Sequence, residues 1–141
     1  MLRRNVLIAA LLALASPGVC LAADLKIELE NVRAQQGVVQ VVLLGSADAW
    51  DGKAKPAGFV GAPPDGDSTL SLSIADLAPG SYAVRVMHDE NGNGKLDTNM
   101  VGMPTEGYGF SNNPRVMRAA TFEEARFEVP EAGTSVRIVL R

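Results

Sequence analysis

The residues best suited to chemistry lie in one short stretch, residues 89–97, which reads DENGNGKLD. Oxygen-bearing side chains stand at alternate positions, and Gly94 follows them where a chain that curls around an ion must turn sharply. This spacing is typical of a loop that binds a hard cation such as Ca²⁺. The predicted ligands are Asp89, Asn91, Asn93, the backbone carbonyl of Lys95, and Asp97.

The match to a twelve-position calcium loop is incomplete. Position 12, where a bidentate glutamate belongs, is Met100, and a strand pattern precedes the loop where an EF-hand has a helix. Glu106 is the first candidate to complete the site, and Asp51, Asp65 and Asp67 are alternatives that the sequence cannot rank. With two carboxylates in the loop, we expect a Ca²⁺ dissociation constant of roughly 10⁻⁴–10⁻³ M.

A turn without an ion requires nearly the same residues. Asn91-Gly92 and Asn93-Gly94 are favoured turn dipeptides, and Asp and Asn side chains accept hydrogen bonds from nearby backbone amides. The offset of Leu96 and Asp97 is the part of the pattern that a simple turn does not need. The sequence therefore leaves both interpretations open.

His88 is the only histidine, and the period of the preceding strand places its side chain on the apolar face. A lone histidine there is typical of a packed, hydrogen-bonded residue, since a catalytic base needs a nucleophile or an orienting carboxylate beside it. The sequence has no nucleophile elbow, zinc-protease motif, P-loop or dinucleotide fingerprint. We therefore predict that the protein is not an enzyme.

In the segments that must position the loop, apolar residues recur at every second position. Apolar and polar residues alternate at residues 25–30, 69–74, 82–87 and 135–141, which predicts half-buried strands. Residues 38–44 are apolar on both faces and predict a central strand, and residues 122–129 are a less regular strand candidate. Short strands separated by Gly- and Pro-containing turns predict an all-β, antiparallel β-sandwich.

Two segments lack this alternation, residues 50–67 and residues 101–118, and both are expected to be long loops. In the first, Trp50 and Phe59 are expected to pack the loop against the sheet. In the second, Glu106, Tyr108 and Phe110 are candidates for a partner-binding surface. The alternative is that the two rings of that segment only anchor it to the core.

Residues 1–22 have the parts of a secretory signal peptide. Two arginines precede an apolar run too short to span a bilayer, and Cys20 and Ala22 are small residues at the positions that a signal peptidase requires. A lipoprotein signal with a lipid on Cys20 is the weaker interpretation, because Val19 stands where a small residue is usual. We expect one domain, residues 23–141, in the periplasm or outside the cell, with no membrane span.

Loss of the signal peptide changes the composition of the chain. It removes two arginines and the only cysteine, so that the net charge falls from −3 to −5 and no disulfide can form. An acidic domain is a poor match for nucleic acid, and we expect no nucleic-acid partner.

Residues 79–113, PGSYAVRVMHDENGNGKLDTNMVGMPTEGYGFSNN, resemble the signature of domain of unknown function 2141, a family of uncharacterised exported bacterial proteins. The segments FEEARFEV and VRIVL follow in the expected order. The resemblance implies a transthyretin-like or immunoglobulin-like β-sandwich of about seven strands, with no enzyme activity and no proven ligand. The matching positions are Asp89, Asn91, Asn93, Gly94, Asp97, Glu106, Gly107, Tyr108, Gly109 and Phe110.

Together these observations predict a secreted or periplasmic, non-catalytic module. Its 89–97 loop would bind Ca²⁺, stiffen the neighbouring segment and present an aromatic pair to an unknown protein or glycan partner. The alternatives are a carbohydrate-binding or glycan-active accessory protein, and a purely structural envelope protein whose loop is only a turn.

Overall fold

The computed structural model describes residues 22–141, so residues 1–21 of the predicted signal peptide lie outside the described range. Eight strands and two four-residue helices follow one another along the described chain. They are β1 (Ala23–Glu30), β2 (Val38–Leu44), α1 (Ala47–Trp50), β3 (Gly58–Ala62), β4 (Thr69–Leu77), β5 (Gly80–Asp89), β6 (Tyr108–Phe110), α2 (Phe122–Ala125), β7 (Phe127–Val129) and β8 (Thr134–Val139).

The strands form two sheets, which confirms the predicted all-β sandwich. One sheet has the order β4-β1-β8, and the other has the order β3-β2-β5-β6, with β7 paired to β5 beside it. Every strand pair is antiparallel except β1 with β8, which run parallel. These are the first and last strands of the sandwich, and a parallel pair needs a long connection, which the rest of the domain provides.

The main core lies between the two sheets, and the period of two explains which residues fill it. Alternate residues of β1, at Leu25, Ile27 and Leu29, are fully buried, while the lysine and the glutamate between them face solvent. Strand β2 has a strand on each side, which confirms the prediction of a central strand. Further core members are Val39, Val41, Leu43, Val84, Val86, Ile138 and Leu140.

A second, smaller core covers part of the outer face of the larger sheet. Helices α1 and α2 place Trp50 and Phe122 there, with the Trp50 indole N–H donating to the Ala120 carbonyl over 3.0 Å. The guanidinium of Arg85 lies 4.4 Å from the centre of the Trp50 ring. The expectation that Trp50 packs its segment against the sheet is therefore confirmed.

The same expectation for Phe59 is wrong, because 61% of this residue is exposed. Phe59 lies on the edge strand β3 and pairs with Val42, an outer-face position. Its ring therefore points away from the main core.

Two short helices lie in segments whose sequence shows no helical period of apolar residues. The candidate strand at residues 122–129 divides into α2 and β7, because Thr121 and Glu124 form a capping box that starts a helix. The two predicted loops also contain strands, β3 in residues 50–67 and β6 in residues 101–118. Neither helix of the described chain is long and apolar enough to cross a membrane.

Three consecutive polar residues after β6 hold the end of the sandwich together. The buried Ser111 hydroxyl accepts a hydrogen bond from the Val84 amide over 2.8 Å and donates to the Ala125 carbonyl. Asn112 donates to the Arg126 carbonyl. Asn113 accepts from the Val139 amide and donates to the Arg137 carbonyl on the open edge of β8. Since both asparagines have positive φ, they also turn the chain sharply.

Replacing Ser111 by alanine is expected to lower the free energy of unfolding by about 2 kcal/mol, because a buried amide and a buried carbonyl lose their partner. Urea denaturation of the purified domain measures this. Ser135→Ala, on the exposed face of β8, is the matched control and should change stability by less than about 0.5 kcal/mol. Equal effects of the two substitutions would contradict the assignment.

Candidate functional site

The predicted ion loop begins where β5 ends, and its first carboxylate is buried. Asp89 is only 4% exposed, and its two oxygens accept hydrogen bonds from three backbone amides. These are the amides of Gly92 at 2.9 Å, Asn93 at 3.0 Å and Gly94 at 2.8 Å. Gly92 and Gly94 both have positive φ, which allows the chain to turn its amides inward around one carboxylate.

The other predicted side chains converge on Asp97. The Asn93 amide nitrogen lies 2.9 Å from both Asp97 oxygens, and the Asn91 amide also donates to this carboxylate. Hydrogen bonds from Asn93 and then Asn91 hold the pKa of Asp97 below its ordinary value. The Lys95 backbone amide donates to the Asn93 side-chain oxygen. The structure therefore brings the Asn91, Asn93 and Asp97 side chains together, while the Asp89 carboxylate is directed to backbone amides of the same loop.

The sequence suggested two places for Glu106, beside the 89–97 loop and on a partner-facing surface, and the structure places it beside the loop. It is 5% exposed, and it accepts from the Glu90 amide at 3.0 Å and the Asp97 amide at 2.9 Å, with a longer bond from Asn91. Its prediction as part of a partner-facing surface is thus wrong, because both oxygens point inward to backbone amides. Glu106 instead joins the two ends of the 89–97 loop.

A second carboxylate, that of Glu90, connects the 89–97 loop to Arg33 in the connection between β1 and β2. Glu90 accepts from the Gly107 amide at 3.0 Å and from the Arg33 guanidinium at 3.0 Å. Arg33 also donates to the Thr105 carbonyl. Sequence reasoning missed Arg33 and Glu90, since their positions differ by 57 and no local spacing relates them.

The loop offers oxygen ligands, which suit a hard cation, but it offers fewer of them than Ca²⁺ requires. In residues 22–141, no group of three or more His, Cys, Asp or Glu side chains is arranged to hold a metal ion. Asp51 pairs with Lys53, and Asp65 accepts from the Asp67 amide, so these alternative ligands have partners elsewhere. Ca²⁺ takes six to eight oxygens, so waters would have to complete the shell.

His88 is fully buried at the end of β5. Its Nε2 lies 2.8 Å from the Gln36 carbonyl, so Nε2 carries the proton and donates, while the buried Nδ1 has no partner in the described chain. Gly107 packs closely over it, since a Cβ at Gly107 would lie 3.2 Å from the His88 Cβ. This placement matches the prediction of a packed, hydrogen-bonded histidine.

Tyr108 and Phe110 lie on β6 and not in an irregular loop. They pair with Met87 and Arg85, whose side chains leave the sheet on the face opposite the buried Val86. The two rings are half-buried on that outer face, 6.0 Å apart and at 68° to each other. The Phe110 ring lies 5.8 Å from the Trp50 ring, so Phe110 also anchors the second core.

The two rings form part of the lining of a groove of about 360 Å³. Its walls come from the segments before and after β6 and from the residue at position 141. Two of the wall residues are arginines. Sequence reasoning did not assign these wall residues to a groove, and the only signal was that most of them fall in the irregular segment 101–118. The wall residues are Leu96, Met103, Pro104, Val116, Met117, Arg118 and Arg141.

A short hairpin between the 89–97 loop and the groove is closed by one asparagine. The Asn99 side-chain oxygen accepts from the amides of Val101 and Met103 at 3.0 Å each, and Thr98 pairs with Pro104. The tip of this turn therefore has a fixed backbone. Its Met100 and Val101 side chains project into solvent, with exposures of 104% and 81%.

Comparisons with known proteins agree with the resemblance of residues 79–113. A family model described as "Uncharacterized protein conserved in bacteria (DUF2141)" matches residues 27–137, which include every strand from β2 to β7. No curated protein and no solved structure matches the chain. Because the family model covers most of the sequence, the chain belongs to this uncharacterised bacterial family.

Proposed function

We propose that this protein is a non-catalytic binding module of the periplasm or extracellular space, and that its 89–97 loop binds Ca²⁺. The observation that supports the proposal is the convergence of the Asn91 and Asn93 side chains on Asp97, in a bend whose backbone amides also turn toward the Asp89 carboxylate. A binding role is favoured over catalysis because His88 is enclosed and Glu106 is committed to backbone amides.

Binding of the cation requires a small rearrangement of the loop. Asn91 and Asn93 point amide nitrogens at Asp97, and rotation of each amide by half a turn replaces the nitrogen with an oxygen ligand. The hydrogen bonds that close the bend are then exchanged for metal–oxygen contacts. Since a closed, hydrogen-bonded bend competes with the ion, the affinity should be modest.

We expect Ca²⁺ to shift the backbone amide NMR signals of Gly92 and Gly94 in a saturable manner, with a dissociation constant of roughly 10⁻⁴–10⁻³ M. Asp97→Asn keeps the side-chain shape but removes a charge, and should weaken binding about tenfold or more, a loss of about 1.4 kcal/mol. Asp65→Asn, in the β3–β4 connection, is the control and should bind normally.

Mg²⁺ at the same ionic strength tests whether the response is specific, because Mg²⁺ demands a stricter octahedral shell than this bend offers. The absence of a saturable shift at millimolar Ca²⁺, or identical responses to both ions, would contradict the proposal. The absence of a shift would favour the interpretation of the loop as a turn held only by its own hydrogen bonds, whereas identical responses would show a divalent-cation site without preference for Ca²⁺.

The aromatic pair is proposed as the part of the module that meets a partner. Tyr108 and Phe110 line the groove and remain half-exposed beside the rigid 98–104 hairpin. Their ring planes meet at 68°, so they do not form one flat platform of the kind that stacks on a sugar ring. The geometry therefore favours a groove ligand over the carbohydrate alternative.

A further inference from the structure

The groove combines an apolar lining with positive charge. Met103, Tyr108, Phe110, Val116 and Met117 provide apolar surface, and apolar atoms account for most of the exposed lining. A volume of about 360 Å³ is at the small end of ligand sites.

The charged residues of the lining are Arg118 and Arg141, and no Asp or Glu among the described residues lines the groove. Arg118 is held by Glu124 through two bonds of 2.8 Å, while Arg141 donates to the Pro114 carbonyl. Since a guanidinium has five donors, Arg141 retains several for an anion.

The Arg118–Glu124 pair keeps its charges over a wide pH range. The hydrogen bonds from Arg118 and then from the Thr121 amide lower the pKa of Glu124 to about 2. Glu124 therefore stays ionised and fixes Arg118 in place, while its charge balances that of Arg118. Arg141 is left as the cation that can attract an anionic group to the groove.

The rim of the groove is apolar and adaptable. Met117 is 95% exposed and Met103 is 49% exposed, and both belong to the lining. Methionine side chains are flexible and polarisable, so they can close over an apolar chain of variable shape. Large exposed apolar side chains gathered at one site are typical of a binding surface.

We propose that this groove binds a small anionic amphiphile, with an unbranched apolar chain packed on Tyr108 and Phe110 and a carboxylate paired with Arg141. The occupant is of the medium-chain fatty-acid class, because the groove is small and mostly apolar and offers a positive group without a competing side-chain carboxylate. This inference rests on the proposed role as a binding module but not on Ca²⁺.

Decanoate is the probe, and its binding is measured by calorimetry in the presence of EDTA, so that failure of the Ca²⁺ proposal does not affect the result. Trp50, the only tryptophan, lies against Phe110 and provides a fluorescence signal for the same titration. Decyltrimethylammonium and decan-1-ol have the same chain with a positive and a neutral head. We expect decanoate to bind at least about tenfold more tightly than either.

Arg141→Gln should remove that preference, with about a tenfold loss for decanoate and little change for decan-1-ol. Arg137→Gln, which removes an arginine paired with Glu30 on the other sheet, is the matched control and should bind decanoate normally. Met117→Gln alters only an exposed side chain, so folding is preserved, and it should weaken all three probes several-fold.

Equal affinities for the anionic and cationic probes would overturn the proposal. So would saturable binding of none of the three, or decanoate binding that survives both Arg141→Gln and Met117→Gln. Binding to phospholipid vesicles without binding to monomeric decanoate would also overturn it, because the surface would then recognise a membrane.

Discussion

Gly37→Ala is expected to lower the free energy of unfolding by about 4 kcal/mol or more, which makes it the largest of the expected effects. A Cβ on Gly37 would lie 1.9 Å from the Asp89 carbonyl oxygen and 2.8 Å from the Glu90 Cα. Both atoms belong to the backbone, so no side-chain rotation relieves the contact. The chain before β2 and the start of the 89–97 loop must therefore move apart.

Gly52→Ala is the matched control for this substitution. Gly52 has φ +77°, almost the same as the +76° of Gly37, but a Cβ there meets nothing within 4 Å. It should cost only the strain of a left-handed alanine, about 1–2 kcal/mol. Chemical denaturation measures both variants, and the difference between them isolates the contact with Asp89. Similar losses of stability would show that the close approach is not a constraint on the fold.

The second large effect is expected for Glu106→Ala, which should lower the free energy of unfolding by about 3 kcal/mol. The substitution leaves the amides of Glu90 and Asp97 without the carboxylate that they share. Bonds to a charged acceptor contribute about 1.5–3 kcal/mol each, and water that enters the opened bend recovers part of the loss. Amide hydrogen exchange should accelerate at these two positions.

Glu106→Gln separates the charge from the shape of this side chain. Its one remaining oxygen can accept from one end of the loop, but its NH₂ group then faces an amide donor at the other end. We expect an effect between those of wild type and Glu106→Ala. Glu131→Ala, at an exposed turn, is the control and should change stability by less than about 0.5 kcal/mol. Unchanged hydrogen exchange at the Glu90 and Asp97 amides in Glu106→Ala would show that Glu106 does not join the two ends of the loop.

The sequence was sufficient for β1, β2, β4, β5 and β8 and for the hydrogen bonds within the 89–97 loop. Alternation at Leu25, Ile27 and Leu29 predicts a half-buried strand, because a pleated chain turns every second side chain to the same face. The convergence of Asp89 on the amides three to five residues later was also predictable. Both features depend on contacts between near neighbours in the chain, which spacing alone describes.

Tertiary structure decided the features that depend on distant contacts. Trp50 and Phe59 come from the same irregular segment, yet one is buried in the second core and the other is exposed on an edge strand. Likewise, the sequence suggested both a place beside the 89–97 loop and a surface position for Glu106, and the structure shows it buried, joining the two ends of the loop. Residue type and spacing do not show which face of a sheet remains uncovered, since that depends on elements that arrive from elsewhere.

The groove shows most clearly the difference between features that the sequence predicts and features that depend on tertiary contacts. Tyr108 and Phe110 were identifiable as candidates from their sequence, but the cavity beside them exists only because β6 pairs with β5 and Arg141 reaches the same face. Composition alone determined that the protein is acidic. Folding brought two arginines and a set of methionines to one place, because side chains separated along the chain share a surface only after the sheets have packed.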